Sequence, residues 1–441
     1  MVVFRPLAAV AVAAATVCGL IATTFAAPIY QEPSAPLSRL YQGHHLVQLQ
    51  VPEGSKTGEI LKLLQDDFML DIWDVQPSHI DFRLPAGVDL DFANIPLLAE
   101  VKIHVLHDNI QSLIDADLAS RLPNPLLPRQ ADPPPPLDWF ADYHQFDQIV
   151  EWYQNLTATF PNLVTFLPSI GQTVEGRDIF AVIITGANNT AAPKPQFFFQ
   201  GLIHAREWIS GATVQWISNQ LVESYATDPS LLDSTEFIFV PVVNPDGYNY
   251  TWTTDRLWRK NRAIPSGVDL NRNYDDHWGQ GGSSPDPASE TYMGPSPASE
   301  PETKAVSAFF MTFPNLVGAI DFHSYSQLVL RPNGWTSAPS PDEALNKQAG
   351  DGISANILSV NQMQYVSEPS IDLYPTTGTS TDFWYTQRRI YSFCIELRPN
   401  AGGEGFLLDR TQIVPTSQEI WSSVLWWVGF AKANPLPKPP V

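Results

Sequence analysis

Two histidines and one glutamate are spaced so that they could hold a divalent cation. The string Gly201-Leu202-Ile203-His204-Ala205-Arg206-Glu207 sets an imidazole and a carboxylate three residues apart, able to converge on one ion. It follows an apolar run, Pro195–Gly201, that reads as a buried strand. Ligand crevices in α/β sheets lie beyond the carboxyl ends of strands, so this is where a site is expected. A second apolar run, Leu316–Phe322, ends in the same way at His323. Two imidazoles and a carboxylate make a three-ligand zinc site whose fourth position is open to water. Each part read alone is weak. His-x-x-Glu recurs by chance, and a lone strand-end histidine is more often a hydrogen-bonded core residue.

The elements needed to position such a site are present. Further strands are read at Ile179–Ile184 and Thr235–Val243, with helices at Ile209–Ala226 and Glu300–Phe313. Strands alternating with helices over about 300 residues predict an α/β fold, a mixed sheet with helices on both faces. Ahead of it, residues 44–120 read as a small α+β unit. Strands fall at His45–Val51, Met69–Val75, His79–Leu84 and Glu100–Leu106, with helices at Thr57–Asp67, Asp91–Leu98 and Asn109–Leu122. That order is the split-βαβ, ferredoxin-like pattern. This unit has five histidines and no motif assignable to chemistry.

Composition narrows the function. The 441 residues carry 46 acidic and 25 basic side chains, a net charge of −21, which would repel a nucleic acid. Two cysteines, Cys18 and Cys394, exclude a disulfide framework. The alanine-rich run Leu7–Ala27 follows Arg5 and reads as a secretory leader, residues 1–26, although it is also long enough for a retained membrane anchor. A proline-rich stretch, residues 122–136, separates the two folded units and ends in four consecutive prolines. Within it Arg129 is an accessible site for a processing endoprotease; an ordinary spacer has the same composition.

Taken together, these residues resemble the zinc carboxypeptidase family typified by pancreatic carboxypeptidase A. The resemblance rests on His204-x-x-Glu207 with His323, Asn244-Pro245-Asp246-Gly247-Tyr248, Arg256–Arg262, Asp269-Leu270-Asn271-Arg272 and Cys394-Ile395-Glu396-Leu397-Arg398, in the family's order over residues 138–430. It implies one Zn²⁺ on His204, Glu207 and His323, with Asp269 orienting His204. It implies Glu396 as general base and Arg259 as the cation facing the oxyanion. Asn271 and Arg272 would clamp the substrate's terminal carboxylate, and Tyr374 would close over it. Arg206, Tyr325, Thr381 and Phe406 would meet other parts of the substrate. The fold implied is a mixed, twisted, eight-stranded sheet flanked by helices (residues 137–441), preceded by an inhibitory propeptide (residues 27–121).

By the same resemblance the terminal side chain would enter a pocket formed by Leu330, Gly334, Leu373, Thr376, Thr379, Thr381 and Cys394. None is a carboxylate, so neutral residues are expected, with three threonines admitting smaller or polar ones. Two departures stand out: the disulfide of the mammalian digestive members is absent, and Pro399-Asn400-Ala401-Gly402-Gly403 replaces the usual segment after the base. Sequons lie at Asn155, Asn188 and Asn249. The expected protein is a secreted, monomeric zymogen acting on peptide or protein C-termini, with no nucleic-acid or membrane partner once its leader is removed. The alternatives are an inactive zinc-binding pseudopeptidase and a hydrolase of N-acyl amino acids.

Overall fold

Four strands build the smaller sheet: β1 (His45–Gln50), β2 (Asp71–Gln76), β3 (His79–Leu84) and β4 (Lys102–His107), in the order β2-β3-β1-β4. All the paired neighbours are antiparallel. Period-two patterning turns Val47, Leu49, Ile80 and Phe82 to one face. There they meet Ile60, Leu61 and Leu64 from the helical turns that start at Thr57. A single 3-10 turn, Pro96–Leu98, stands in the part of Asp91–Leu98 that is described, and the helix Ile110–Arg121 follows β4. This computed structural model describes residues 39–52, 56–88, 95–99, 101–121, 139–187, 193–400 and 402–437. The leader, the proline-rich stretch with Arg129 and the sequon at Asn188 therefore lie outside the described residues.

The larger sheet has eight strands: β5 (Val164–Gln172), β6 (Asp178–Thr185), β7 (Gln196–Gln200), β8 (Glu236–Val240), β9 (Leu316–Ser324), β10 (Leu328–Arg331), β11 (Val366–Pro369) and β12 (Tyr391–Leu397). Their order is β11-β10-β12-β9-β7-β8-β6-β5. The centre, β12-β9-β7-β8, is parallel, while β5, β6 and β10 run antiparallel to their inner neighbours. This is the mixed sheet that the alternation of strands and helices predicts. Helices cover both faces. Phe146–Thr159, Trp208–Ser224, Glu343–Asn361 and Ile413–Ala433 contribute to one core, and Pro301–Met311 and Ser380–Arg388 to the other.

Strand β7 shows why a continuous apolar run suits this position. Phe197 and Phe199 pack into the first core and Phe198 into the second, all fully buried. A strand covered on both faces needs no polar alternation. Trp427 reaches down from Ile413–Ala433 onto Phe197 and Phe393. It can do so because β9 has Gly318 beneath it, where a Cβ would lie 2.4 Å from the indole. No disulfide braces this arrangement: Cys394 is free and buried. Among the described residues no helix is long and apolar enough to cross a membrane.

Packing at this contact is directly testable. Gly318→Ala forces the indole to move and should destabilise the chain by about 1–3 kcal/mol. Trp427→Ala leaves a cavity and should cost about 3–5 kcal/mol. Equilibrium urea unfolding measures both, and a neutral Gly318→Ala would contradict the close approach.

Candidate active site

The chemistry-bearing residues collect at the carboxyl ends of the parallel strands. Past β7 the chain turns through Gly201–Ile203 to His204, and Glu207 caps the helix that starts at Trp208. Ser210 fixes that turn, accepting from the Leu202 N–H at 3.0 Å and donating to the Glu207 carbonyl at 2.7 Å. β9 supplies His323 and β12 supplies Glu396, and the two are register partners on adjacent parallel strands. Side chains of paired residues share a face, so both point into one cavity. Beyond β8, a long excursion brings Arg259 and the 3-10 turn Leu270–Arg272 to the same place.

Three donors converge there and are nearly inaccessible to solvent. His204 Nδ1 lies 2.8 Å from Glu207 Oε1, His323 Nδ1 lies 3.1 Å from Glu207 Oε2, and the two Nδ1 atoms are 3.1 Å apart. The outer ring nitrogens are each held by a buried carboxylate. His204 Nε2 meets Asp269 Oδ1 at 3.1 Å, and His323 Nε2 meets Asp321 Oδ2 at 3.0 Å. Donation of each Nε2–H to its carboxylate turns an Nδ1 lone pair inward. Lone pairs then face lone pairs and a carboxylate at about 3 Å, which is repulsive unless positive charge sits between them. The electrostatics agree. Burial opposes ionisation of Glu207, yet His204 and His323 hold its carboxyl far below the ordinary range. Burial would lower the His323 pKa, yet Asp321 and Glu207 raise it well above its usual value. A His₂Glu set demanding a cation fits zinc.

Around these donors lie the other expected residues. Asp269 bridges the site: its Oδ1 holds His204 while Oδ2 accepts from Arg259 at 2.8 and 3.2 Å. Glu396 lines the cavity beside Cys394, whose thiol is 3.8 Å away. Burial, partly offset by His323, pushes its pKa up to about 8. Asn271 is fixed by the Ser380 N–H at 2.9 Å and approaches His323 Nε2 at 3.3 Å. Arg272 is buried; its Nη1 donates to the Asn271 carbonyl, its Nε has no partner, and it forms no ion pair among the described residues. Tyr374, Leu330, Leu373, Thr376, Thr379, Thr381 and Cys394 all line the cavity. Gly334 does not line it. It sits behind Thr376, and its N–H donates to the buried Asp382 at 3.0 Å. Burial pushes the Asp382 carboxyl up to about 7.

Sequence reasoning missed Asp321, although its place two residues before His323 on one strand puts both on the same face. Ser380 Oγ donates to it at 2.5 Å. Reasoning also missed how the smaller sheet engages the cleft. Arg206 donates to both oxygens of Asp71 at 3.0 Å, and the Trp73 indole N–H and Arg83 bond the same carboxylate. Trp73 packs edge-on against Phe406, which in turn meets Tyr325. Asp74 accepts from the Ser326 hydroxyl, and Tyr41 donates to Asp255 at 2.7 Å. Arg206, Tyr325 and Phe406, expected to meet substrate, are thus in contact with the N-terminal unit.

This combination of sheet, strand-end donors and buried cations defines a metallopeptidase. Residues 149–423 match the zinc carboxypeptidase family, and the chain belongs to that family. It is 35% identical to carboxypeptidase A1 of Bos taurus over 402 residues, covering 87% of this chain and 93% of the relative. It is 32% identical to carboxypeptidase B of Rattus norvegicus, covering 89% and 95%. The crystal structure of carboxypeptidase A from Helicoverpa armigera superposes with a TM-score of 0.79 at 26% identity, covering 90% of this chain and all but 1% of that one (99% covered). The chain is accordingly a zinc metallocarboxypeptidase acting on peptide C-termini.

Asp321 should act through His323. Asp321→Asn keeps the shape but removes the charge that orients the ring, and should weaken zinc affinity about 10–100-fold. Competition with a chromophoric chelator measures the loss, and an unchanged affinity would separate Asp321 from the metal.

Proposed function

We propose that the chain is the latent precursor of a secreted exopeptidase that releases neutral C-terminal residues. One observation carries this reading: Arg272 is a buried guanidinium with an unpaired Nε and no ion pair among the described residues, lining the same cavity as the metal donors. A cation in that condition suits an anionic chain end, which it can grip through charge-assisted hydrogen bonds beside Asn271. When bound, zinc supplies Lewis-acid activation of water and of the scissile carbonyl. Glu396 takes the proton from the attacking water and returns it to the leaving nitrogen. Arg259, anchored by Asp269, faces the oxygen on which negative charge develops. Tyr374 closes the cavity over the bound terminus.

Specificity follows from what the pocket lacks. None of the residues assigned to the terminal side chain (Leu330, Leu373, Thr376, Thr379, Thr381 and Cys394) is a carboxylate, and the nearby Asp382 is turned to the Gly334 N–H behind the wall. A terminal lysine or arginine would be buried unpaired, at a cost of several kcal/mol. Apolar and aromatic residues are favoured, and the threonine hydroxyls admit small polar ones.

Latency is supported by the contacts of Asp71, Trp73 and Asp74, which occupy Arg206, Phe406 and Ser326 at the mouth of the cavity. In this reading residues 1–26 direct secretion, residues 27–121 are the propeptide, and cleavage near Arg129 in 122–136 frees the catalytic domain, residues 137–441. Asn155 is exposed, and Asn249 is partly so, for glycosylation.

Cleavage of the full chain by a trypsin-like protease should yield activity on peptides ending in apolar or aromatic residues, with C-terminal amides resistant. Glu396→Gln should lower kcat by about 10²–10⁴. Equal activity in that variant removes Glu396 as base, and inertness toward peptides and N-acyl amino acids alike leaves a binding protein.

Asp71→Ala should raise the activity of the uncleaved chain by about tenfold or more, since it leaves Arg206 without its buried partner. Burial opposes ionisation of Asp71, but Arg206 and Arg83 hold its carboxyl below its ordinary range. The depressed pKa makes this contact fully present above the ordinary carboxylate range and lost only in stronger acid. The uncleaved chain should therefore stay latent at about pH 5. Activation there, measured before and after brief incubation, would argue against Asp71 as the latch.

A further inference from the structure

The β2–β3 hairpin contains a second set of metal donors, made of residues that the peptidase chemistry does not use. Asp74 on β2 and Asp81 on β3 are direct cross-strand partners, so two carboxylates face one another on the same side of the sheet. Like charges in that register are destabilising, and here both are buried. Among the described residues no lysine or arginine forms an ion pair with either. The group within reach is His79, two residues before Asp81, whose Nε2 lies 3.2 Å from Asp74 Oδ2.

The remaining atoms are arranged as supports. Ser326 and Gln76 hydrogen-bond Asp74 Oδ1, Gln48 donates to Asp81 Oδ1 at 2.9 Å, and Ser78 Oγ lies 3.1 Å from His79 Nδ1. The Gly402 amide interacts with the Asp81 carboxylate, yet Asp81 Oδ2 is buried with no partner at hydrogen-bond geometry. The donor atoms of Asp74, His79 and Asp81 all lie within 4.8 Å of one another. Two donors on a tetrahedral zinc ion stand about 3.4 Å apart, so the set has to draw together by up to about 1.4 Å to close on an ion. An imidazolium would neutralise one carboxylate and leave the other buried and charged. A divalent cation with a neutral imidazole neutralises both.

We propose that Asp74, His79 and Asp81 form a second divalent-cation site, of the nitrogen- and oxygen-ligated type that takes Zn²⁺, in the N-terminal unit. His79 is half-buried, which gives the ion a route in from solvent. Through Asp74, the ion would brace the hairpin where it touches Ser326 of the catalytic domain.

The test uses the uncleaved full chain, stripped of metal, equilibrated with Zn²⁺ and dialysed before metal analysis. The wild-type chain should bind two equivalents, and His79→Gln and Asp81→Asn one each. Glu207→Ala, which breaks the active-site set, should also retain one, and Glu207→Ala with His79→Gln none. Zn²⁺ should raise the melting temperature of Glu207→Ala but not of that double variant. Because His79 is partly exposed, His79→Gln decides the matter if Asp81→Asn does not fold. One equivalent on the wild-type chain, or two on both hairpin variants, overturns the proposal.

Discussion

Everything around the active site answers to one constraint, the two imidazole nitrogens that face each other 3.1 Å apart across Glu207. That arrangement is stable only around positive charge, and it is imposed from outside by Asp269 and Asp321, each bonded to a ring's far nitrogen. A flexible pair of histidines would rotate away from such a contact. These do not, because the carboxylates are buried and themselves fixed: Asp269 by Arg259, Asp321 by Ser380. The demand for a cation therefore resides as much in these outer carboxylates as in the three donors.

The same logic separates the two arginines at the cleft. Arg206 is saturated by Asp71, with both carboxylate oxygens at 3.0 Å. Arg272 is also buried and has no such partner among the described residues. The N-terminal unit thus meets the mouth of the cavity through Asp71 and Trp73, and none of its described residues forms an ion pair with Arg272. In the proposed latent form, blocking the approach in this way would leave Asn271 and Arg272 in place, and removal of the unit would expose them without rebuilding any contact inside the pocket.

The convergence of donors was largely legible in the sequence because they follow strand ends, where apolar runs stop shortly before or at His204 and His323. Family resemblance then located Glu396, Arg259, Asn271 and Arg272, which lie far apart in sequence and converge only through sheet order. Two of the core helices and four strands were legible for the same reason, a continuous apolar run or a repeated face. Strands β5, β10, β11 and β12 were less so, being short, polar at intervals or known only by a motif. Asp321 went unread because a lone acidic residue inside an apolar run belongs to no motif, and only its partner His323 explains its burial. Contacts of Asp71 and Asp74 with the catalytic domain carry no local signal at all, since neither periodicity nor spacing reports docking between two folded units.

Without disulfides, the precision of the site has to come from sheet register. His323 pairs with Glu396 and Asp321 with Cys394 along β9 and β12, while β10 sets Leu328 and Leu330 beside Glu396 and Cys394. A slip of one residue would turn Glu396 away from the cavity and bring an apolar neighbour in its place. Both cores resist that slip, because each central strand is buried on its two faces and any shift would exchange fitted side chains between them. The aromatic packing of Phe197, Phe198, Phe199 and Trp427 is thus a catalytic requirement as well as a source of stability. It fixes the positions of the strands whose ends carry the chemistry.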